Sequence, residues 1–216
     1  MAIIAPDPDA SEDDAASPAE RRKAKVRDTI ISAAERLFAE HGADAWSMRK
    51  LAESVDYSPA AIYKYFRNKD ELFCEIRDQF FERLLARIET EISKAGDGPV
   101  DRKACLRAYV ETGLEEPNHY AMLFAGNTLA PPKEGDVALQ AANRLEGLIA
   151  DGVASGEFRP LDTRLAAQAT WASLHGLVAL MIELPGFPTS RPGSEHITAD
   201  MLIDFHLDQI LRGFAA

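Results

Sequence analysis

Residues Ser47 to Leu72 read SMRKLAESVDYSPAAIYKYFRNKDEL and contain start signals for two short helices with a turn signal between them. Ser47 can accept a hydrogen bond from a free N–H of the first turn, and Trp46 can pack against Leu51 as a hydrophobic staple. Apolar residues then recur at three- and four-residue spacing, at Met48, Leu51, Ala52 and Val55. This spacing predicts an amphipathic helix of about two turns that begins at Ser47.

A tight turn and a second short helix are predicted to follow. Asp56 interrupts the apolar spacing, and aspartate is one of the few non-glycine residues that adopt the left-handed backbone conformation at modest cost. Ser58 can cap the next helix, and Pro59 suits its first position because the missing N–H is not needed there. We expect this helix to run from Pro59 to about Phe66.

A long third helix is predicted to begin near Lys69. Asn68, with Glu71 three residues later, is similar to a capping box. Two short helices joined by a tight turn have the shape of a helix-turn-helix, whose second helix enters the major groove of DNA. Ala60 and Ala61, which open that helix, would let its backbone approach another surface closely.

This pattern resembles the N-terminal DNA-binding domain of the TetR family of bacterial transcriptional regulators, specifically over Ile30 to Leu72. The matching residues are Ala33, Ala34, Leu37, Phe38, Gly42, Ser47, Met48, Arg49, Leu51, Ala52, Ser58, Pro59, Ile62, Tyr63, Tyr65, Phe66, Lys69, Glu71 and Leu72. Asp56 stands where the family usually has a turn glycine, and Ala60 stands where glycine is common in the second helix. The methyl group of Ala60 bears on which sequence is read. An unrelated helical hairpin is the alternative interpretation.

Eight residues are candidates for contact with DNA. They are Ser47, Arg49, Ser58, Ala60, Ala61, Tyr63, Lys64 and Lys69. Arg49 is expected to contact base edges alongside the two alanines, which makes it the specificity candidate. Phosphate contacts that set the register are expected from Ser47, Ser58, Tyr63 and Lys69.

The charge distribution is compatible with this interpretation. The net charge is -11, which by itself disfavours a nucleic-acid binder. Residues 1–20, however, contain six acids and no base, whereas residues 21–80 contain twelve bases and ten acids. The segment with the motif is therefore the least negative, and a basic cluster that could meet phosphates opens its first helix at Arg21, Arg22, Lys23, Lys25 and Arg27.

The remaining sequence predicts helices and no strand, so the fold class is all-α. We expect an acidic disordered tail over 1–20, the helix-turn-helix domain over 21–68, and a helical ligand-binding and dimerisation domain over 69–216 that the long helix joins to it. Apolar spacing ends the long helix near Gly96, and Asn127 to Gly135 is predicted to be a loop. Asp162 and Thr198 are expected to cap the last two helices.

The last two helices carry apolar residues on more than one face, which suggests a partner subunit. The apolar positions of the last helix are Leu202, Ile203, Phe205, Leu207, Ile210, Leu211 and Phe214. In the TetR family these two helices form a four-helix dimer interface, so the resemblance implies a homodimer. A symmetric dimer places its two reading helices about 34 to 36 Å apart, which predicts a palindromic double-stranded DNA operator.

Trp171, His175 and Gly176 resemble the tryptophan-histidine-glycine signature of one TetR subgroup's C-terminal domain, and the segment from Leu106 to Phe124 resembles it too. The resemblance implies a ligand-binding domain whose small-molecule effector varies between members. We expect an apolar pocket lined by Tyr109, His119, Phe124, Trp171 and His175. Plain core packing is the alternative for each aromatic side chain, and a backbone-bonded core histidine is the alternative for His175.

The expected function is a sequence-specific transcriptional regulator, a repressor relieved by a small-molecule ligand. Two other classes of protein are alternatives. A helical enzyme would need a nucleophile, a base and an orienting acid, and Asp204 with Asp208 is better explained as solvated surface. A helical small-molecule-binding protein that does not engage DNA is the second alternative, which the acidic balance favours mildly.

No metal, cofactor or membrane association is expected. The histidines and the two cysteines, Cys74 and Cys105, show no metal-ligand spacing, and the cysteines are expected to be reduced and buried. The early apolar run from Met1 to Ala5 is too short for a signal peptide, and no segment was expected to span a bilayer. The predicted location is the cytoplasm.

Overall fold

The described part of the chain, residues 17–42, 46–124 and 134–216 of this computed structural model, consists of α-helices and their connections. The helices are α1 (Pro18–His41), α2 (Met48–Ser54), α3 (Pro59–Ile62), α4 (Lys69–Lys94), α5 (Arg102–Glu115), α6 (Pro117–Phe124), α7 (Val137–Ala154), α8 (Thr163–Glu183) and α9 (Ala199–Phe214). The β pairing within these ranges is one isolated bridge between Phe158 and Ala215. The predicted all-α class is confirmed.

Helix α1 begins earlier than the sequence pattern suggested. The Ser17 hydroxyl accepts the Glu20 N–H at 3.2 Å, and the Glu20 carboxylate accepts the Ser17 N–H at 2.7 Å. This reciprocal capping box starts the helix at Pro18, so residues 18–20 are helical although they were assigned to the acidic tail. The rest of that predicted tail, residues 1–16, lies outside the described residues.

The caps and turn of the helix-turn-helix form as predicted. The Ser47 hydroxyl accepts the Lys50 N–H and the Ser58 hydroxyl accepts the Ala61 N–H, each at 3.2 Å. Asp56 has φ 57, the left-handed conformation expected of the turn. The regular part of α3 ends at Ile62 rather than Phe66. Beyond it the chain stays coiled, because the Ile62 carbonyl accepts N–H groups of both residues 65 and 66, at 2.8 and 3.0 Å.

Helix α4 begins with half of the predicted capping box. The Asn68 side chain accepts the Glu71 N–H at 2.8 Å. The Glu71 carboxylate accepts the Arg67 N–H at 2.6 Å, one residue away from the expected partner. The helix then buries an apolar stripe along its length, formed by Leu72, Phe73, Ile76, Phe80, Leu84 and Ile88. Helix α4 packs against α5, α6 and α7. It therefore joins helices α1 to α3, called the reading unit below, to the core of the C-terminal half.

Ion pairs fasten α9 to α5. Lys103 lies 2.7 Å from Asp208 and 3.2 Å from Asp204, and Arg107 lies 2.7 Å from Asp204. Both cations lower the pKa of Asp204, Arg107 most strongly through its hydrogen bond. Asp204 and Asp208 are solvent-accessible, as expected, but they also form surface ion pairs with α5. Sequence spacing placed them on one helix face but could not show the basic residues opposite.

One described helix, α8, is long and apolar enough to cross a bilayer by length and composition alone, with a mean hydropathy of 1.4 in its most apolar window. No segment of this length and apolar content was predicted from the sequence. A helix that is apolar on two faces meets the same criteria without a membrane. The inner face of α8 packs against α5 and α7, and a third of the window is buried.

Gly152 allows a close approach that a larger residue would block. A Cβ at this position of α7 would overlap the ring of Phe158, which is buried. We expect Gly152→Ala to lower the free energy of unfolding by about 1–3 kcal/mol, measured by urea denaturation. Gly147→Ala in the same helix is the matched control, since a Cβ there meets nothing within 4 Å. An equal loss of stability in both variants would contradict this explanation.

Candidate functional site

The candidate DNA-contacting residues lie on the outer surface of the helix-turn-helix. Ser47, Arg49, Ser58, Ala60, Tyr63 and Lys64 are exposed, and Ala61 and Lys69 are half-buried. The oxygens of Ser47 and Ser58 act as caps, which leaves each hydroxyl hydrogen available to a phosphate. Arg49 is 82% exposed at its side chain and lies 3.2 Å from Glu53 one turn later.

Lys69 has a role that the sequence pattern did not indicate. Its ammonium lies 4.2 Å from the centroid of the Trp46 ring and 3.5 Å from the Trp46 carbonyl oxygen. Trp46 is buried and also packs near Phe73 at 6.1 Å. This cation–π contact connects the start of α4 to the entry of α2. Lys69 thus helps to hold the reading unit together, in addition to its predicted place at the DNA surface.

A second cation, Arg27, holds the end of the recognition segment, residues 59–66, in place. The Arg27 guanidinium donates to the Tyr65 carbonyl at 3.1 Å and to the Glu75 carboxylate at 2.6 Å. It also lies 4.5 Å from the ring centroid of the buried Phe66. Arg27 therefore connects α1, the end of the reading helix and the first turns of α4. Its position in a basic cluster suggested phosphate binding, but its contacts are internal.

His119 lies at the junction of the two halves, not at the predicted pocket. Its ring is 3% exposed, with Nε2 2.6 Å from the Ile76 carbonyl oxygen of α4 and Nδ1 2.7 Å from the Glu35 carboxylate of α1. Glu116 lies 3.3 Å from Nδ1, and Arg83 approaches the ring and pairs with Glu116. A buried imidazole needs polar partners, and it finds them here rather than in an apolar cavity. The prediction that His119 lines the pocket is wrong.

The C-terminal half contains a cavity of about 630 Å³ between α4, α5, α6, α7 and α8. Most of its wall is apolar, and a volume of this size falls in the usual range for a small-molecule site. Tyr109, Phe124 and Trp171 line it, whereas neither His119 nor His175 belongs to the wall. Other wall residues are Phe81, Leu84, Ile88, Cys105, Leu106, Leu123, Leu145, Leu148 and Leu174.

His175 lies behind the cavity wall and ends a chain of hydrogen bonds. The Trp171 indole donates to the Tyr109 hydroxyl at 3.2 Å, the hydroxyls of Tyr109 and Tyr120 are 2.9 Å apart, and the Tyr120 hydroxyl lies 2.8 Å from His175 Nδ1. Indole N–H can only donate, so the simplest donor order runs from Trp171 to an accepting Nδ1. His175 is thus bonded to a tyrosine, not to the backbone carbonyl considered above.

Burial disfavours the charged forms of a phenol, a thiol and an imidazole in and behind the wall. Burial raises the pKa of Tyr109 to about 12 and that of the Cys105 thiol to about 11, and it lowers the pKa of His175. The charged wall residues are Arg77, Glu146 and Arg164. Within the described ranges, no group of three or more His, Cys, Asp or Glu side chains is arranged to hold a metal ion.

The outer faces of α8 and α9 expose apolar side chains. The large ones are Leu165, Trp171, Leu180 and Leu184 on or just beyond α8, and Met201 and Phe205 on α9. Between them α8 presents Ala169, Ala172 and Gly176 at helical spacing. Leu207 and Ile203 of α9 face the core instead, so only part of the predicted arc is exposed. A contiguous apolar face of this kind is typical of a protein interface.

Comparison with known proteins agrees with the architecture. The family model described as "Bacterial regulatory proteins, tetR family" matches residues 30–76, and "Tetracyclin repressor-like, C-terminal domain" matches residues 103–205. Together these two matches cover more than half of the chain. The narrower subgroup resemblance around Trp171 stays a prediction.

Individual relatives extend over most of the chain. The fatty acid metabolism regulator protein of Bacillus subtilis is 23% identical over 168 residues, 71% of this chain and 81% of that protein. The repressor KstR2 of Mycolicibacterium smegmatis is 24% identical over 163 residues, 70% of this chain and 78% of that protein. The structure of the regulator PfmR from Thermus thermophilus has a TM-score of 0.64 at 25% identity and covers 85% of this chain and 97% of its own. The chain belongs to the TetR family of bacterial regulatory proteins and is a helix-turn-helix transcriptional regulator.

Proposed function

We propose that this protein is a repressor that binds a palindromic operator as a homodimer and releases it when a largely apolar small molecule occupies the cavity. It would act in the cytoplasm, where the bacterial chromosome is. The cavity wall supports the ligand class, because it offers apolar side chains with few polar groups between them. One relative is named a fatty acid metabolism regulator protein, and a structural neighbour from Mycobacterium tuberculosis is described as a ketosteroid transcriptional regulator. Fatty acids and ketosteroids both have a large apolar body.

The observation that carries this proposal is the continuity of α4. The helix begins at Lys69, directly after the recognition segment, and contributes Phe81, Leu84 and Ile88 to the cavity wall. An α-helix transmits a displacement along its axis because its turns are hydrogen-bonded to one another. A ligand that favours a different position of α4 would therefore change the spacing of the two recognition helices in a dimer.

Helix α6 offers a second route between cavity and reading unit. Leu123 and Phe124 line the cavity, and His119 on the same short helix contacts Glu35 of α1 and Ile76 of α4. A shift of α6 that accommodates a ligand would strain both contacts of the buried ring. Ligand and operator would then oppose each other's binding reciprocally, as linkage requires.

Selection of the preferred duplex from random DNA tests the DNA-binding part of this proposal. Affinity is then measured at several salt concentrations against a scrambled duplex. A palindromic site preferred by about a thousandfold or more supports the proposal. Weak binding that is sensitive to salt and blind to sequence would contradict it.

Arg49 and Lys64 are expected to differ in what they contribute. Arg49→Ala should weaken operator binding by roughly 1–3 kcal/mol and relax the sequence preference, because we assign it to a base edge. Lys64→Ala should weaken binding to operator and random DNA by the same factor and lower the salt slope by about one. Both affinities are measured by fluorescence anisotropy. Identical effects of the two variants on both kinds of DNA would remove this division of roles.

Homodimerisation through α8 and α9 is tested by placing a charge among the small residues on the outer face of α8, Ala169, Ala172 and Gly176. Ala172→Glu should convert the dimer into a monomer and weaken operator binding, because a carboxylate in a close apolar helix contact loses its hydration. Ala86→Glu is the matched control, since Ala86 is an exposed alanine of α4. Analytical ultracentrifugation measures the mass. A dimeric Ala172→Glu variant with normal operator affinity would rule out this interface.

A further inference from the structure

The cavity wall carries one positive charge more than negative ones, although the chain as a whole has a net charge of -11. Its charged residues are Arg77, Arg164 and Glu146. Glu146 lies 3.3 Å from Arg164, so these two neutralise each other. Arg164 is also 76% exposed at its side chain, whereas the side chain of Arg77 is 12% exposed. Arg77 is therefore the cation without a partner inside the wall, and the carboxylates that pair with it, Asp78 and Asp136, lie outside the wall.

Only one edge of the Arg77 guanidinium is occupied. Nε and Nη2 both donate to the same carboxylate oxygen of Asp78, at 3.1 and 3.0 Å. Asp136 lies 3.9 Å from Nη2, which is beyond hydrogen-bond distance. Among the described residues, Nη1 has no hydrogen-bond partner. The N–H groups of the edge formed by Nη1 and Nη2 can thus donate to a second oxyanion in the bidentate geometry that arginine favours.

The position of Arg77 places this charge at one end of the cavity. Asp136, its weaker partner, immediately precedes α7, and Ala138 and Leu139 of the first turn of α7 line the wall. Glu146 follows Asp136 by ten residues, which is about 15 Å along a helix that rises 1.5 Å per residue. The wall between these points is mainly apolar. The cavity therefore has a guanidinium at one end, an apolar middle and a neutralised ion pair further along.

We infer that the effector is an amphipathic anion, with a carboxylate or phosphate head group bound by Arg77 and an apolar body that fills the rest of the cavity. This inference rests on the proposed function, since it concerns the ligand of the same cavity. A guanidinium that faces an apolar cavity can bind an oxyanion through the N–H groups that its first carboxylate leaves free. Asp78 holds the guanidinium in place, and the ligand supplies the second oxyanion.

The test compares four probes that share one alkyl chain: decanoate, decyl phosphate, decanol and decylammonium. Calorimetric titration into the wild-type protein, Arg77→Gln and Arg164→Gln gives the dissociation constants. Arg164→Gln is the matched control, because it removes the other arginine of the wall. The melting temperature and operator affinity of each variant, measured without probe, show that it is folded and still reads DNA.

We expect decanoate or decyl phosphate to bind the wild type roughly tenfold to a hundredfold more tightly than decanol, as hydrogen bonds to a charged group allow. The stronger of the two anions identifies the head group. Arg77→Gln should remove this preference, and Arg164→Gln should keep it. Asp136→Asn should tighten anion binding, because it removes a competing carboxylate, and this variant decides the question if Arg77→Gln does not fold.

Three results would overturn the inference. The first is that decanol binds as tightly as the anions. The second is that the Arg77→Gln and Arg164→Gln variants lose equal affinity. The third is that none of the four probes binds. Each result leaves the repressor proposal standing if the duplex selection without ligand still yields a palindromic operator. Failure of that selection, together with anion binding that depends on Arg77, would leave the ligand site and remove the repressor.

Discussion

The relative position of the two halves depends on one buried ring. His119 comes from α6, yet its nitrogens lie against acceptors on two other helices, Glu35 of α1 and the Ile76 carbonyl of α4. The carbonyl can only accept, so Nε2 donates to it. Moving any of the three helices would leave a buried polar atom unsatisfied, which costs about 1–3 kcal/mol. The orientation of the reading unit is therefore restricted to arrangements that keep these contacts.

Residues 75–77 of α4 bring three such connections together. Glu75 pairs with Arg27 of α1, the Ile76 carbonyl accepts from His119, and Arg77 belongs to the cavity wall. A single turn of helix thus contacts the helix-turn-helix unit, the junction and the cavity. Coupling between sites requires an element with two arrangements that both ligands bias. In this turn, the residues that contact the helix-turn-helix unit and the residue that lines the cavity are adjacent in the chain, so a shift of the turn would affect both.

Local signals in the sequence predicted local structure well. The serine caps, the left-handed Asp56 and the start of α4 depend on hydrogen bonds within a few residues, so the sequence pattern is sufficient to identify them. Contacts between distant segments were not accessible in this way. Lys69 over Trp46, His119 between Glu35 and Ile76, and the aspartates of α9 opposite α5 depend on how helices are arranged in space. Tyr109, Phe124 and Trp171 line the cavity, as a pattern of large aromatic side chains on inward helix faces could indicate, and their role in ligand binding stays a prediction.

The placement of the two tryptophans has an optical consequence. Trp46 is buried in the reading unit beneath the Lys69 ammonium, and Trp171 lies between the cavity and the outer face of α8. The chain contains no other tryptophan. Replacing one indole with phenylalanine would leave an emission signal that comes from one half of the molecule alone. Changes in the helix-turn-helix unit and changes at the cavity could then be timed separately in the same protein, without any attached dye.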